Sequence, residues 1–275
     1  MCGQYPNTGQ WNIGYTSLLA HVLGLRPSKD LWWSSNRALG RYGRTWSRSA
    51  EHHARLHAVA ATLSTGPVML GDMMRAEDPH LILRSCRADG RLLQPDAPAI
   101  PLDANILARV SPGAAAPGGV VLATHSDVSG HRWKYVLVVS LPSYWLHVHE
   151  AELAPSSHGY VAIEANATTV VRPFDEAHAL PLRSLNEWDF QLWTIAPRSS
   201  NGWAFLGEAR RKWVGISRRR FVSIEAAQEG GFRVRCRGTT GERIQLLAVP
   251  PDTTKTIAIS YTFGSNAVAS VAIGL

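Results

Sequence analysis

The pattern of hydrophobic and polar positions changes near residue 108 of the chain. Before it, segments with a helical spacing of apolar residues alternate with short apolar runs that are typical of strands. After it, nearly every segment is a short run rich in Val, Ile, Tyr, Phe and Trp, bounded by Gly, Pro, Asn or Asp. Strands in succession without helices predict an antiparallel β-sandwich over residues 120–275, preceded by a linker at 108–119 that is rich in proline and small residues. The predicted strands are "VVLATHS", "WKYVLVVSL", "GYVAIEA", "TTVVRPF", "FQLWTIAP", "RFVSIEA", "FRVRC", "RIQLLAV", "KTIAISYTF" and "AVASVAI".

Two helices are predicted early in residues 1–107. In "IGYTSLLAHVLGL" the apolar residues recur at helical spacing, and Gly24 follows as a typical helix end. A second helix is predicted around "AEHHARLHAVAATL", with Ser49 as its N-cap and Glu51 in the first turn, where a negative charge suits the helix dipole. One face of this helix carries a stripe suited to packing on a sheet, formed by Leu56, Val59, Ala60 and Leu63.

The run "GPVML" comes next and predicts a buried strand of a parallel sheet, because it is short and largely apolar. A further helix is predicted in "DPHLILRSC", with Asp78 as its cap and Pro79 at its first position. Ligands of parallel sheets bind beyond the carboxyl ends of the strands. Asp72 stands directly after "PVML", so we expect it either in a ligand site or as a capping or turn residue, and its position alone favours neither.

Composition sets wide limits on function. Of 275 residues, 45% are hydrophobic and 18% are charged, which is typical of a globular protein with one large domain or two smaller ones. No apolar run of about 18 residues is present, so no transmembrane helix is predicted, and the first residues lack the pattern of a secretory signal. The three cysteines, Cys2, Cys86 and Cys236, are far apart, which favours neither a disulfide framework nor a metal site.

A net charge of +7 leaves an anionic partner open. Basic residues cluster at Arg210–Lys212 and at Arg218–Arg220, both beside strand-like runs. We interpret both clusters as solvated strand ends, with a nucleic-acid surface as the less favoured alternative, because no nucleic-acid-binding motif accompanies them. No dinucleotide fingerprint or phosphate-binding glycine loop is convincing, so no cofactor is predicted.

Two groups of histidines raise the question of a metal site. His53 and His57 are four residues apart on the predicted second helix, and His147 and His149 alternate in "HVHE". The helical histidines have no evident third ligand, which zinc sites need, and the two histidines of "HVHE" could chelate only if they share one strand face. We therefore predict no metal and interpret "HVHE" as a solvated strand face.

Parts of residues 12–103 resemble the last barrel units of raffinose-synthase-like and α-galactosidase-like glycoside hydrolases. In that family, a helix with Ala-Glu-aromatic-His leads into a Gly-Pro strand that ends in Ser-Asp or Asn-Asp, as "AEHHARLHAVAATLSTGPVMLGD" does in similar form here. Upstream, "GYTSLLAHVLGLRPSKDLWWSS" resembles the segment with the family's Asp-Trp-Asp-Met-Phe motif. Asp30 falls on its second aspartate, whereas Ser28 and Lys29 depart from the first aspartate and the tryptophan. "LILRSCRADGRLLQPDAPAIPLD" is similar to the segment that leads back to the family's β domain.

This resemblance implies a partial TIM-barrel segment over residues 1–107, followed by the sandwich. It also implies that the catalytic aspartates, which follow the fourth and sixth barrel strands in the family, belong upstream of the matching segment. A complete barrel takes about 250 residues, far more than precede the linker. We therefore expect a partial chain, a barrel completed by another subunit, or a remnant that packs differently on the sandwich.

The implied function is that of a glycoside-hydrolase-like protein acting on α-galactosyl groups, with no catalytic residue in this chain. The residues expected to bind sugar are Asp30, Trp32, Trp33 and Asp72. A carboxylate accepts hydrogen bonds from hydroxyl groups and an aromatic ring packs on a sugar face, and both aspartates are expected at the same end of the sheet. The alternative is a non-catalytic carbohydrate-binding or structural subunit.

Overall fold

A computed structural model describes residues 13–35, 53–111, 119–154, 156–165, 170–184 and 189–274, and this part of the chain is mostly antiparallel β-sheet with four helices. The helices are α1 (Ile13–Val22), α2 (Ala54–Leu63), α3 (Pro79–Ile82) and α4 (Asp103–Val110). The first seven strands are β1 (Ile100–Pro101), β2 (Val120–Val128), β3 (His131–Val139), β4 (Tyr144–Leu146), β5 (Tyr160–Glu164), β6 (Val171–Phe174) and β7 (Leu180–Leu182). The others are β8 (Phe190–Pro197), β9 (Ala204–Gly207), β10 (Phe221–Ala226), β11 (Phe232–Arg237), β12 (Arg243–Val249), β13 (Ile257–Thr262) and β14 (Val268–Ile273).

Three of the helices lie where the sequence predicts them. Helix α1 is followed by Gly24, which has the left-handed φ of 72° that glycine accepts without steric cost. Helix α3 begins at Pro79, and the Asp78 side chain accepts hydrogen bonds from the amides of His80 and Leu81, as predicted for its cap. Helix α2 begins at Ala54 with His53 as its N-cap residue, later than the predicted start at Ser49. Ser49 and Glu51 themselves lie outside the described residues.

Helix α4 was not predicted. Its last turn occupies the beginning of the segment that we assigned to the linker, and residues 112–118 lie outside the description. Asp103 sits in the first turn of α4, where its charge suits the helix dipole. The helix has only eight residues, and Pro101 stands two positions before it. So short a segment shows too few apolar repeats to predict a helix.

The largest sheet has six strands in the order β1-β2-β3-β8-β5-β6, and every neighbouring pair is antiparallel. Strands β2 and β3 form a hairpin whose last pair is Val128 and His131. The two residues between them, Ser129 and Gly130, both have a left-handed φ, of 52° and 79°. This is the backbone that two-residue type I′ hairpin turns require.

Both faces of the six-stranded sheet are covered. One face packs with helix α2 and with two three-stranded sheets, β10-β11-β14 and β13-β12-β9, in a single hydrophobic cluster. The opposite face lies under the β4–β7 pair and the turns that follow β4. Strand β3 is consequently buried from Trp133 to Val139, as expected for a continuous apolar run between two covered faces.

The predicted succession of strands after residue 120 is confirmed. Each of the ten predicted runs contains a strand, and the alternation is clear in β11, where buried and exposed residues follow one another along the strand. The prediction missed four strands of two to four residues, which are too short to show a period: β1, β4, β7 and β9.

The region before residue 108 does not show the partial barrel. Among the described residues, parallel pairing is limited to one bridge, between Trp32 and Leu70. Strand β1 instead joins the large sheet by pairing with β2, and helix α2 shares the hydrophobic cluster of the sandwich. The prediction that "GPVML" is a buried strand is wrong, since Met69 and Leu70 are 46% and 40% exposed.

The prediction of solvated strand ends is wrong for Arg220, which is fully buried. Its guanidinium donates to Glu208 at 2.7 Å and to both carboxylate oxygens of Glu242, so two carboxylates compensate one buried cation. The neighbouring run "KWVGI" is a buried turn and not a strand. Gly207 and Gly215 let this turn approach β9, because a Cβ on Gly207 would lie 2.4 Å from the Gly215 carbonyl oxygen.

None of the helices in the described ranges is long and apolar enough to cross a membrane.

Candidate functional site

The candidate site is built on two short parallel segments, residues 30–34 and 68–72, which we call the parallel pair. The amide of Trp32 donates to the Met69 carbonyl at 3.2 Å, and the amide of Gly71 donates to the Trp32 carbonyl at 2.8 Å. Helix α2 lies between the two segments in the sequence and is buried along most of its length. Parallel segments need such a crossover connection, which is usually helical.

Asp72 lies at the carboxyl end of the parallel pair. Its two carboxylate oxygens each accept from the Ser34 amide at 2.9 Å, and one of them accepts from the Ser35 amide at 3.3 Å. Hydrogen bonds from backbone amides stabilise a carboxylate that is only partly exposed. Asp72 therefore fixes the backbone where the first segment ends.

Ser34 connects this carboxyl end to helix α3. Its amide binds Asp72, and its hydroxyl accepts from the amide of Asp78, the N-cap of α3, at 2.8 Å. Ser34 is buried, so this contact places the cap of α3 against the parallel pair. The sequence analysis missed Ser34, and a serine directly after two tryptophans gave no distinctive signal.

Gly71 allows Trp33 to lie against the second segment. A Cβ at position 71 would stand 2.6 Å from a methyl carbon of Leu31 and 3.1 Å from the indole nitrogen of Trp33. Any side chain there would push one of these residues away. Trp33 is half-buried and directly precedes Ser34, whose amide Asp72 binds, so it stands near the carboxyl end of the pair.

Asp30 and Trp32 do not join this group. With Trp32 paired to Leu70, Asp30 stands beside Val68 and Asp72 beside Ser34, four residues or about 13 Å apart along the strand direction. Asp30 is at the amino end, where its carboxylate accepts from the Leu31 amide at 2.8 Å. Our expectation that both aspartates open at one end therefore does not hold.

Trp32 is 1% exposed and belongs to the hydrophobic cluster that contains Leu56 of helix α2. Neighbouring side chains along a strand point to opposite faces, which places one tryptophan in the core and leaves the other near the surface. Of the two rings, only Trp33 is accessible to a ligand.

Buried basic groups lie close to the amino end of the parallel pair. Lys29 is 2% exposed and His57 is 5% exposed. Burial, with smaller contributions from the charges of Lys29 and His53, lowers the pKa of His57 to about 3. His57 is consequently neutral at physiological pH.

The other histidine pair has a different setting from the predicted one. His147 and His149 lie in the turn after β4 and not on a strand, and their rings stack with centroids 5.7 Å apart. Within the described ranges, no three His, Cys, Asp or Glu residues are grouped so that they could hold a metal ion.

No family model matches the chain, and no curated protein matches it either.

Proposed function

We propose that this chain is the carboxy-terminal part of a glycoside-hydrolase-like protein of the α-galactosidase and raffinose-synthase type, and that it binds an α-galactosyl sugar without hydrolysing it. In this proposal the parallel pair and helix α2 are a remnant of the last barrel units, and Asp72 and Trp33 contact the sugar. The observation that carries the proposal is the position of Asp72 at the carboxyl end of two parallel segments joined through a buried helix.

The chemistry of this end suits a sugar. A carboxylate offers about four acceptor positions, and three amide contacts from Ser34 and Ser35 leave Asp72 free to accept from a hydroxyl group. The half-buried ring of Trp33 supplies an aromatic surface on which the apolar face of a sugar can pack.

Hydrolysis of a glycosidic bond needs more than the Asp72 carboxylate at the carboxyl end of the parallel pair. Glycosidases hold two carboxyl groups about 5–10 Å apart on either side of the scissile bond. Asp30 stands at the other end of the parallel pair, about 13 Å along the strands from Asp72. Nearer to Asp72, the Asp78 carboxylate is engaged by two amides as the cap of α3. In this proposal the catalytic carboxylates therefore come from an upstream barrel segment or from a partner subunit.

Calorimetry with raffinose and galactose tests the proposal. We expect Asp72→Asn and Trp33→Ala each to weaken binding by about 1–3 kcal/mol, because a sugar hydroxyl or ring face loses its partner. Asp30→Asn is the matched control, since it removes the same charge at the opposite end and should leave the affinity unchanged. Equal loss in Asp30→Asn and Asp72→Asn would contradict the assignment of the site.

An assay with an aryl α-galactoside tests the absence of hydrolysis. We expect no turnover by the purified chain. Turnover that survives repurification and disappears in Asp72→Asn would show that Asp72 is catalytic, contrary to the proposal.

A structural role is the second candidate. Apolar side chains of the second segment and the turn after it are strongly exposed, with Met74 at 88%, Met69 at 46% and Met73 at 43%. A cluster of exposed apolar residues is typical of a protein contact surface. Calorimetry that shows no binding of either sugar by the wild-type chain would favour this role.

A further inference from the structure

A cavity beside helix α3 has an unusual charge. It has a volume of about 700 Å³ and lies between helix α3, the turn after β9 and the strands β12 and β13. Its charged lining consists of five cations and one carboxylate: Arg84, Arg210, Arg211, Lys212, Arg243 and Glu208. We call it the basic cavity.

The one carboxylate of the basic cavity is already engaged. Glu208 is 2% exposed and accepts from the guanidinium of buried Arg220 at 2.7 Å. Among the described residues, no ion pair within 4.0 Å joins any of the four lining arginines to a carboxylate. The positive charge of the cavity is therefore largely uncompensated by the protein.

Two of the cations are held in place by contacts with neutral groups. The Arg84 guanidinium carbon lies 3.4 Å from the centre of the Trp213 ring, a cation–π contact, and two of its nitrogens are buried without a hydrogen-bond acceptor in the described part of the chain. Lys212 donates to the carbonyls of Leu83 and Cys86, both at 2.6 Å, which leaves one of its three ammonium hydrogens for another acceptor.

Burial destabilises the charged forms of Arg84 and Lys212. Burial, together with the nearby charge of Arg55, lowers the pKa of Arg84 to about 10, and burial also lowers the pKa of Lys212. Lowered pKa values mean that the surroundings disfavour the charged forms. An anion in the cavity would remove this penalty, because it would supply the missing opposite charge.

We propose that the basic cavity binds a small molecule that carries phosphate groups. Guanidinium groups match the oxygens of phosphate in a bidentate geometry, and a lysine ammonium adds a point charge. The cavity is large enough for a small organic phosphate, and Leu83 and Ile244 add apolar lining beside the cations. The cavity shares no lining residue with the proposed sugar site, which consists of Trp33 and Asp72.

Titration calorimetry of the full chain with inorganic pyrophosphate at low ionic strength tests the inference. The informative variant is the double substitution Arg211→Gln and Arg243→Gln, because both side chains are exposed and line the cavity. We expect it to raise the Kd for pyrophosphate by about tenfold or more. The double substitution Arg233→Gln and Arg235→Gln removes the same charge from exposed positions of β11 outside the cavity and should change Kd by less than about twofold.

Three results would overturn the inference. The wild-type chain could fail to bind pyrophosphate, or both double variants could weaken binding equally, which would show an effect of net charge alone. A single-stranded oligonucleotide that binds more tightly than pyrophosphate, with the same dependence on Arg211 and Arg243, would assign the surface to nucleic acid instead. Near-ultraviolet circular dichroism of both variants checks that the fold is unchanged.

Discussion

Strand β3 and the segment that contains "PVML" look similar in the sequence and have different environments in the structure. In β3, Leu137 and Val138 are fully buried, whereas Met69 and Leu70 are 40–46% exposed. Strand β3 has a hydrogen-bonded neighbour on each side and a hydrophobic cluster on each face. The second segment has one bridge to one neighbour in the described part of the chain. The comparison shows that partners distant in sequence decide whether an apolar run becomes a buried strand.

The largest expected effect concerns the sandwich, which contains the buried charge of Arg220. Arg220→Ala would leave Glu208 and Glu242 in the core without their cation. We expect a loss of about 3–5 kcal/mol in the free energy of unfolding, measured by urea denaturation. Arg235→Ala, at an exposed position of β11, serves as the control and should change stability by less than about 0.5 kcal/mol. A loss below about 1 kcal/mol for Arg220→Ala would contradict the buried network.

A pair of leucines tests the comparison directly. Leu137→Ala in β3 should cost about 2–5 kcal/mol, because it creates a cavity in a covered sheet. Leu70→Ala in the parallel pair should cost less than about 1 kcal/mol, because the side chain is already partly exposed. Urea denaturation of both variants gives the two values. Equal losses would mean that Leu70 is covered in the folded protein, and the contrast between the two regions would disappear.

Acid sensitivity should come in part from His57, on the helix that covers the parallel pair. Its pKa is about 3 in the folded protein and 6.5 in a free side chain. Between these values the unfolded state binds a proton that the folded state does not, so stability should fall as the pH decreases from about 6.5 towards 3. We expect His57 to contribute on the order of 2–3 kcal/mol to this fall between about pH 6.5 and about pH 4.5.

Denaturation of His57→Gln across the same pH range measures that contribution. The substitution keeps a polar side chain and removes the titration, so the dependence of stability on pH should become shallower. His131→Gln, at an exposed position of β3, is the matched control, and an equal change of slope in both variants would contradict the assignment to His57. An unchanged slope in His57→Gln would show that His57 titrates normally in the folded chain.

The smallest effect concerns the cap that links helix α3 to the parallel pair. Asp78→Ala would remove the acceptor for two amides of α3 and should cost about 1 kcal/mol. Asp78→Asn retains an acceptor and should recover most of the loss. Thermal denaturation of the two variants distinguishes capping from a general effect of charge, since equal losses would indicate that the charge matters and the cap does not.

The sequence predicted those parts of the fold that depend on local pattern. The alternation in β11, the cap at Asp78 and the helix end at Gly24 are properties of a few neighbouring residues. The exposure of Leu70, the burial of Arg220 and the pairing of β1 with β2 depend on residues far away in the chain. Pattern and spacing carry no information about those contacts, so the predictions failed there.

The same distinction applies to the candidate site. Asp72 could be placed at the end of a segment, because "PVML" gave its position, but its partners Ser34 and Ser35 could not be predicted. The family resemblance groups Asp30 and Trp32 with Asp72. The register of a single bridge, Trp32 with Leu70, separates Asp30 from Asp72, and burial removes Trp32. No hairpin turn fixes that register, because helix α2 lies between the two segments in the chain.

The two-residue turn between β2 and β3 has a consequence for the folding pathway. Closing so short a loop costs little chain entropy, and nine residue pairs join the two strands. Contacts between helix α2 and the sandwich, in contrast, join residues far apart in the chain and should form later. We expect substitutions in the β2–β3 hairpin to slow refolding, and substitutions in α2 to speed unfolding with little change in the refolding rate. Stopped-flow kinetics of Val136→Ala and Val59→Ala would reveal this order, and it would be excluded if both variants changed only the unfolding rate.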